Sequence, residues 1–452
     1  MSTAPRILIS GGGIAGNALA LQLVRAGIAT TIVERAASPR PGGQAVDLRG
    51  ASREAAERLG LMPGIRRRRL DERGMSYVDG HGRVYGRMSM EDFDGKGAIA
   101  EIEITRGDLN DVLLDALREA AASGTATGIA DPDHASPVLD QRYGDHLTAL
   151  EQDADGVDAT FASGCRERYD LVVGADGVHS ATRRLAFGPE DRFVTNLGGY
   201  AAFFTMPTPA DIEPGWFAMR LVPGAMFGIR PDGDRSTSKA IINVRTDRDP
   251  ALRGDRAAQE ALIRTAISGG GWHASRILDA MEHADDFYFD ELARVDMPSL
   301  SNGRVALIGD AATCGSPLTG MGTAMAILGA YLLGREVVGL ADAAAAAAAS
   351  AGGSGATAGA GLGDPLALAA ALARFEEELA PHAEKSRQIP GGSLAIMLPR
   401  TRIMTAFARV NVKLMLSRPM RPLAKKLFAG DAEDLPLPAE ATPRVAVPAP
   451  IE

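Results

Sequence analysis

The chain has 452 residues, 46% hydrophobic and 23% charged, with a formal net charge of −9. That length exceeds one ordinary core and predicts two or three packed units, while the acidic balance excludes general nucleic-acid binding. Two cysteines, Cys165 and Cys314, supply neither a disulfide framework nor zinc-ligand spacing, so no metal is expected and the expected compartment is a reducing cytoplasm.

Ile7-Leu8-Ile9-Ser10 reads as a strand, Gly11-Gly12-Gly13-Ile14-Ala15-Gly16 as a turn into a helix, and Thr31-Ile32-Val33-Glu34 as a second strand. The first apolar run is too short for a signal peptide. Gly11, Gly13 and Gly16 occupy the positions of G-x-G-x-x-G, where glycines permit a tight turn, close approach to a pyrophosphate and close helix-to-strand packing. The helix opening at Ile14 and Ala15 aims its N–H groups and positive dipole end at the phosphates. Glu34, eighteen residues after Gly16, is placed to accept hydrogen bonds from an adenosine ribose, and Arg35 beside it is grouped with the cofactor-binding residues. Strand, turn, helix and terminal acid agree on a dinucleotide site over a bare glycine turn. Nicotinamide and flavin dinucleotides share this half, so the choice stays open here.

A Pro/Gly-rich loop follows over residues 35–49, then a helix over 52–59 and the arginine run 66–69, read as a solvated face with nicotinamide phosphates as the sharper reading. Residues 75–88 alternate around Asp79-Gly80-His81-Gly82, a β-hairpin signal. A strand at 102–104 leads to Arg106 and a helix carrying Leu109, Leu113 and Leu117. The run 169–174 is a buried strand that turns at Asp176-Gly177, with Ser180 and Arg183 just beyond. Runs at 198–207, 216–222, 226–231 and 240–245 predict an antiparallel sheet, and 255–267 a helix. Parallel-sheet character returns at 304–310, so the nucleotide unit is expected to be discontinuous.

Residues 311–334 carry no charge, but Pro317, Gly320 and Gly322 interrupt them, so a buried segment rather than a membrane span is expected. Asp310 ends a strand, offering a carboxylate to ribitol or ribose hydroxyls. Gly320 and Gly322 let backbone N–H groups approach a ligand. The uncharged helix 323–333 would stabilise negative charge developing on a reduced flavin ring. Residues 343–363 are nearly all Ala, Gly, Ser and Thr, predicting a frayed helix end and a flexible loop, before a helix at 366–378. From 385 to 430 there are ten Lys or Arg and no Asp or Glu. Ile403, Phe407, Val410 and Leu414 recur at helical spacing beside Arg402, Arg409 and Lys413, predicting a basic amphipathic helix over 401–416. It is expected to pack on the body with its basic residues facing acidic neighbours. A membrane surface or a hydrophobic substrate's entrance is the other reading, and membrane contact is not expected.

Together these segments resemble the class A flavoprotein monooxygenases, the family of para-hydroxybenzoate hydroxylase and the tetracycline-modifying monooxygenases. The resemblance implies that Gly11, Gly13, Gly16 and Glu34 bind the ADP part of FAD and that Arg106 meets the flavin's phosphate and ribitol region. It implies that Asp176, Gly177, Ser180 and Arg183 serve both FAD and NADPH, and that Asp310, Pro317, Gly320 and Gly322 hold the ribitol and shield the ring. Thr313, Ser316, Ala324 and Gly329 depart from common family residues, which touches the ring contacts and the substrate rather than FAD binding.

The implied architecture is α/β: a discontinuous Rossmann-like FAD-binding domain (1–75, 100–185, 285–340), an antiparallel-sheet substrate domain (76–99, 186–284), a flexible loop (341–364) and C-terminal helices (365–430). The implied activity is oxygenation of an electron-rich aromatic or polyketide-like small molecule with NADPH or NADH and O2, through a flavin hydroperoxide. No proton-transfer residue is assigned. Other readings are a ligand-binding flavoprotein without turnover, or a flavin oxidoreductase of another kind: epoxidation, Baeyer–Villiger oxidation or dehydrogenation. A nicotinamide-only dehydrogenase leaves Asp310 and its glycines unexplained, and a halogenase is disfavoured because Trp216 and Trp272 stand far apart.

Overall fold

A computed structural model describes residues 5–40, 42–89, 103–124, 138–350, 361–388, 394–420 and 435–437. One sheet runs Ser301–Asn302, Val305–Leu307, Leu171–Gly174, Arg6–Ser10, Ala29–Glu34, Leu139–Tyr143, parallel except for its first, antiparallel pair. Side chains alternate across a strand, so successive residues serve different cores. Ile7, Ile9, Ile32, Leu171 and Val173 face the helices Ile14–Arg25, Arg106–Gly124 and Gly322–Ser350. Leu8, Val33 and Val172 face a three-stranded antiparallel sheet, Leu147–Gln152, Val157–Phe161 and Arg166–Tyr169. That small sheet was hidden in sequence because its exposed strand faces are charged.

The second large sheet runs Tyr288–Val295, Val194–Pro207, Thr237–Arg245, Ala225–Pro231, Trp216–Val222, Gly74–Val78, Val84–Ser89. All its pairs are antiparallel except Trp216–Val222 with Gly74–Val78. Helices Arg256–Ile267 and Ala274–Glu282 cover one face. The other face carries Phe203, Phe217, Met219, Leu221 and Ile241, and touches Leu318 of the nucleotide unit.

Several boundaries differ from expectation. Tyr288–Val295 pairs with Val194–Pro207, so the substrate sheet extends beyond residue 285, because edge-strand pairing cannot be read from one strand. Residues 341–350, expected as loop, continue the helix Gly322–Ser350, since alanine is the best helix former. Leu362 is buried and its carbonyl accepts a 2.8 Å bond from the buried Arg304. That long helix is apolar enough by composition to span a bilayer, yet residues 325–334 are buried within the protein. The helix Arg402–Met415 packs on the body, but its apolar stripe points outward. Expectations falling on 90–102, 125–137, 351–360, 389–393 and 421–434 lie outside the described residues.

A buried ion cluster ties the large antiparallel sheet to the two-stranded sheet of Ala45–Asp47 and Glu103–Thr105. Arg230, on Ala225–Pro231, bonds both Glu72 and Glu103, and the three side chains are nearly inaccessible. Glu103 begins the strand Glu103–Thr105 that leads to Arg106. Burial pushes the Glu103 carboxyl up to about 8 although Arg230 pulls it down. Removing one partner of a buried ion cluster strands the others. Arg230→Met should therefore lower the unfolding free energy by about 3–5 kcal/mol above pH 8, where Glu103 must ionise. The loss should shrink towards pH 5, where protonation relieves Glu103, as read from urea midpoints at each pH.

Candidate cofactor and substrate site

The helix Ile14–Arg25 begins at Gly13 with no side-chain cap and no acid in its first turn. Its leading N–H groups and positive end therefore suit an anion. Gly11 has φ +113°, and a Cβ there would stand 2.3 Å from the Ala175 carbonyl oxygen. A Cβ on Gly16 would stand 2.0 Å from the Gly11 carbonyl oxygen. Only glycine allows these approaches. Ile14 and Ala15 are buried and hold the turn from behind. The Glu34 carboxylate accepts from the N–H groups of Gly12 at 2.9 Å and Ala36 at 2.8 Å. These two bonds fix its direction and leave lone pairs for ribose hydroxyls. Arg35 is exposed beside it.

Arg106 reaches the same place from another element. Its N–H donates to the Gln44 carbonyl at 3.0 Å and the Gly107 N–H to that of Gly42 at 2.6 Å. A Cβ on Gly107 would meet Gly42 N at 2.4 Å, so the loop and the helix start interlock. The exposed guanidinium thereby lies 3.8 Å from where a Gly13 Cβ would be.

At the far end, Gly309 turns with φ +58° and presents Asp310. Asp310 is open to the crevice, yet the protein around it pushes its carboxyl above the usual range, against the pull of Arg106. A Cβ on Gly322 would stand 3.5 Å from Asp310 Oδ1. Pro317 opens the short turn Pro317–Thr319, and Gly320 follows at φ +67° with open space beside it. The helix Gly322–Ser350 has no acid in its first turn. Two bare helix starts, Arg106, Glu34 and Asp310 thus fit a dinucleotide with a central pyrophosphate and hydroxylated arms on both sides, as FAD has. Thr313 is buried against the Gly309 carbonyl, so this departure faces inward.

Two expected contacts take a different form. Asp176 accepts from Ser180 Oγ, from Thr182 N at 2.9 Å, from Thr182 Oγ1 at 3.0 Å and from Ser10 Oγ at 3.4 Å. It anchors the helix Ala181–Ala186 to the first strand. Arg183 has no exposed surface, and donates to the carbonyls of Ala311 at 2.9 Å and Val178 at 2.5 Å. Both residues shape the wall behind the crevice, and Arg183 has no surface left to meet a ligand.

Sequence reasoning missed a polar chain between the sheets. The Tyr288 hydroxyl donates to Asp290 Oδ2 at 2.9 Å, His179 Nε2 lies 3.0 Å from Asp290 Oδ1, and His179 Nδ1 lies 3.2 Å from both Glu190 oxygens. Asp290 foremost, then Glu190, raises His179 to about 9, so the imidazolium persists at neutral pH. Burial and Asp290 push the Tyr288 hydroxyl well up, while Arg106 opposes. That phenol sits at the Arg106 and Asp310 end of the crevice. The signal available was His179 itself, between Gly177 and Ser180; its partners come from strand pairing.

The family described as FAD binding domain matches residues 5–351. A flavin-dependent monooxygenase from an unknown prokaryotic organism is 34% identical over 385 residues, 84% of this chain and 87% of its own. An uncharacterised protein of Mycobacterium tuberculosis is 36% identical over 341 residues, 74% of this chain and 86% of its own. The solved structure of tetracycline destructase Tet(51) superposes with a TM-score of 0.69 at 27% identity, covering 94% of this chain and 99% of that one.

Asp310→Ala should weaken FAD binding by roughly 10- to 100-fold, the range for hydrogen bonds to a charged group, in fluorescence titration of the apoprotein. Unchanged affinity would remove Asp310 from the cradle. The His179 proton is held more tightly folded than unfolded, so its stabilisation is complete below about 6.5 and is lost as pH rises through about 9. His179→Gln should accordingly depress the melting temperature most near pH 6 and least above pH 9.

Proposed function

The chain belongs to the class A flavoprotein monooxygenases through an FAD binding domain over residues 5–351, and from that premise we propose that it hydroxylates an electron-rich aromatic or polyketide-like small molecule with NAD(P)H and O2. The observation that carries the substrate class is the apolar, aromatic sheet face of Phe203, Phe217, Met219 and Tyr288, adjoining Leu318 just before Gly320. A face of this kind binds flat, ring-rich molecules and excludes water. The likeness to a tetracycline destructase supports a multi-ring, enol-bearing ligand.

Bound FAD would take reducing equivalents from NAD(P)H and activate O2 for transfer to an electron-rich carbon. The protein's own part is placement and electrostatics. Gly11, Gly13 and Arg106 would hold the phosphates, with Gly16 letting the helix close on the turn; Glu34 and Asp310 would hold the two hydroxylated arms. The bare start of Gly322–Ser350 favours negative charge at the crevice end that it faces. Tyr288 stays protonated with its hydrogen given to Asp290, so its oxygen can accept from a substrate hydroxyl while Asp290 and His179 hold the ring in place. Asp310, Arg106 and the glycines bind without exchanging protons.

A panel of phenols, enols and polycyclic polyketides should contain members that accelerate NADPH or NADH oxidation, with one heavy oxygen in the product when isotopically heavy O2 is supplied. Product without the label would exclude monooxygenation. An unresponsive enzyme across the whole panel would favour the ligand-binding reading.

A further inference from the structure

The helix Arg402–Met415 starts firmly, with the Thr401 side chain accepting from Met404 N at 3.2 Å. One face is committed to the protein. Thr405 is buried, Ala408 adjoins the Phe217 and Leu221 cluster, and Arg409 Nη2 donates to the Leu221 carbonyl at 2.6 Å. Val412 and Leu416 close over Gly86, where a Cβ would meet both at 3.2 Å. The opposite face has no cover. Ile403 is 84% exposed, Met404 54%, Phe407 74%, Val410 64% and Leu414 56%, five of the seven large exposed hydrophobics among the described residues. Scattered apolar side chains are normal on a surface, but a contiguous stripe marks an interaction site.

At roughly 100° per residue, Ile403, Phe407, Val410 and Leu414 share an arc of about 60°, with Arg402 and Lys413 about 60–80° to one side. Both cations are exposed, and neither makes an ion pair among the described residues. The segment 385–430 holds ten Lys or Arg and no acid within a chain of net charge −9.

We propose that this helix docks the protein on an anionic lipid surface, its apolar stripe entering the boundary between headgroups and acyl chains and its cations meeting lipid phosphates. That arrangement gives both halves of the amphipathic face a partner. A second copy fits less well. Fourteen residues at about 1.5 Å each and a width of about 10 Å present only ~210 Å², against about 800 Å² per partner in a stable interface. Antiparallel pairing would also set Arg402 against Lys413.

The test is co-sedimentation of the FAD-loaded protein with phosphatidylcholine vesicles, with and without phosphatidylglycerol. Wild type should bind the anionic vesicles and release in high salt. Phe407→Ser with Val410→Ser should weaken binding by at least about tenfold, and Lys413→Glu should weaken it and flatten its salt dependence. Both variants should retain flavin content and melting temperature, because the changed side chains touch solvent. Wild type that stays in the supernatant, variants that bind as well as wild type, or a wild-type dimer that the double variant dissolves would each overturn the proposal.

Discussion

The crevice depends on Arg230. A guanidinium withdrawn from water needs carboxylates, and it takes Glu103 from the two-stranded sheet and Glu72 from the segment just before Gly74–Val78. Hydrophobic packing sets the spacing of layers but tolerates sliding; a buried cation with two fixed partners does not. Glu103 stands three residues before Arg106, so this contact also aims the arginine that faces Gly13. Asp47 lies beside the same cluster, raised to about 7 by burial and by Glu103. Three carboxyls gathered around Arg230, with Arg49 on the outer side of Asp47, favour keeping a proton on the buried acids, which spares the interior a net negative charge.

Given that registry, the crevice assembles from backbone ends rather than from reactive side chains. Two helix starts without acids, one at Gly13 and one at Gly322, bring partial positive charge from different parts of the chain. Arg106 adds a full charge between them and acts on Asp310 at the far end. Asp176 and Arg183 hold the wall through their bonds to Ser180, Thr182 and Ser10 and to the carbonyls of Ala311 and Val178. Such a site can hold a large anionic cofactor tightly while leaving the reaction to the cofactor.

How much of this was legible in the sequence follows from where each signal lives. The strand, glycine turn, helix and Glu34 lie within residues 7–34, and local geometry alone carries them; the same holds for Gly309-Asp310 and the Gly320 turn. The strands of the large antiparallel sheet announced themselves by alternation and turn residues. What stayed hidden needed strand pairing: Tyr288–Val295 entering the substrate sheet, His179 meeting Asp290 across 111 positions, and Arg230 finding Glu72 and Glu103. Asp176 and Arg183 belong to a third kind. Their motif was visible, but only packing revealed that Arg183 is enclosed and that Asp176 is tied to Ser180, Thr182 and Ser10.

The outward stripe of Arg402–Met415 shows how pattern and direction separate. Periodicity establishes that a helix has an apolar face; it does not say that this face meets the protein. Here the inward side is set by Val412 and Leu416 against Gly86 and by Arg409 donating to the Leu221 carbonyl, leaving Ile403, Phe407, Val410 and Leu414 outside. Charge then orients the whole molecule. Ten of the 48 Lys and Arg and none of the 57 Asp and Glu fall within residues 385–430, so the other residues carry a net charge of −19. A body so acidic is repelled by an anionic surface over a Debye length of roughly 8 Å, and attraction is confined to the helix side. The repulsion would make docking directional: the strands Trp216–Val222 and Val84–Ser89 would lie nearest the surface, and their sheet carries the apolar face proposed to receive a ring-rich substrate.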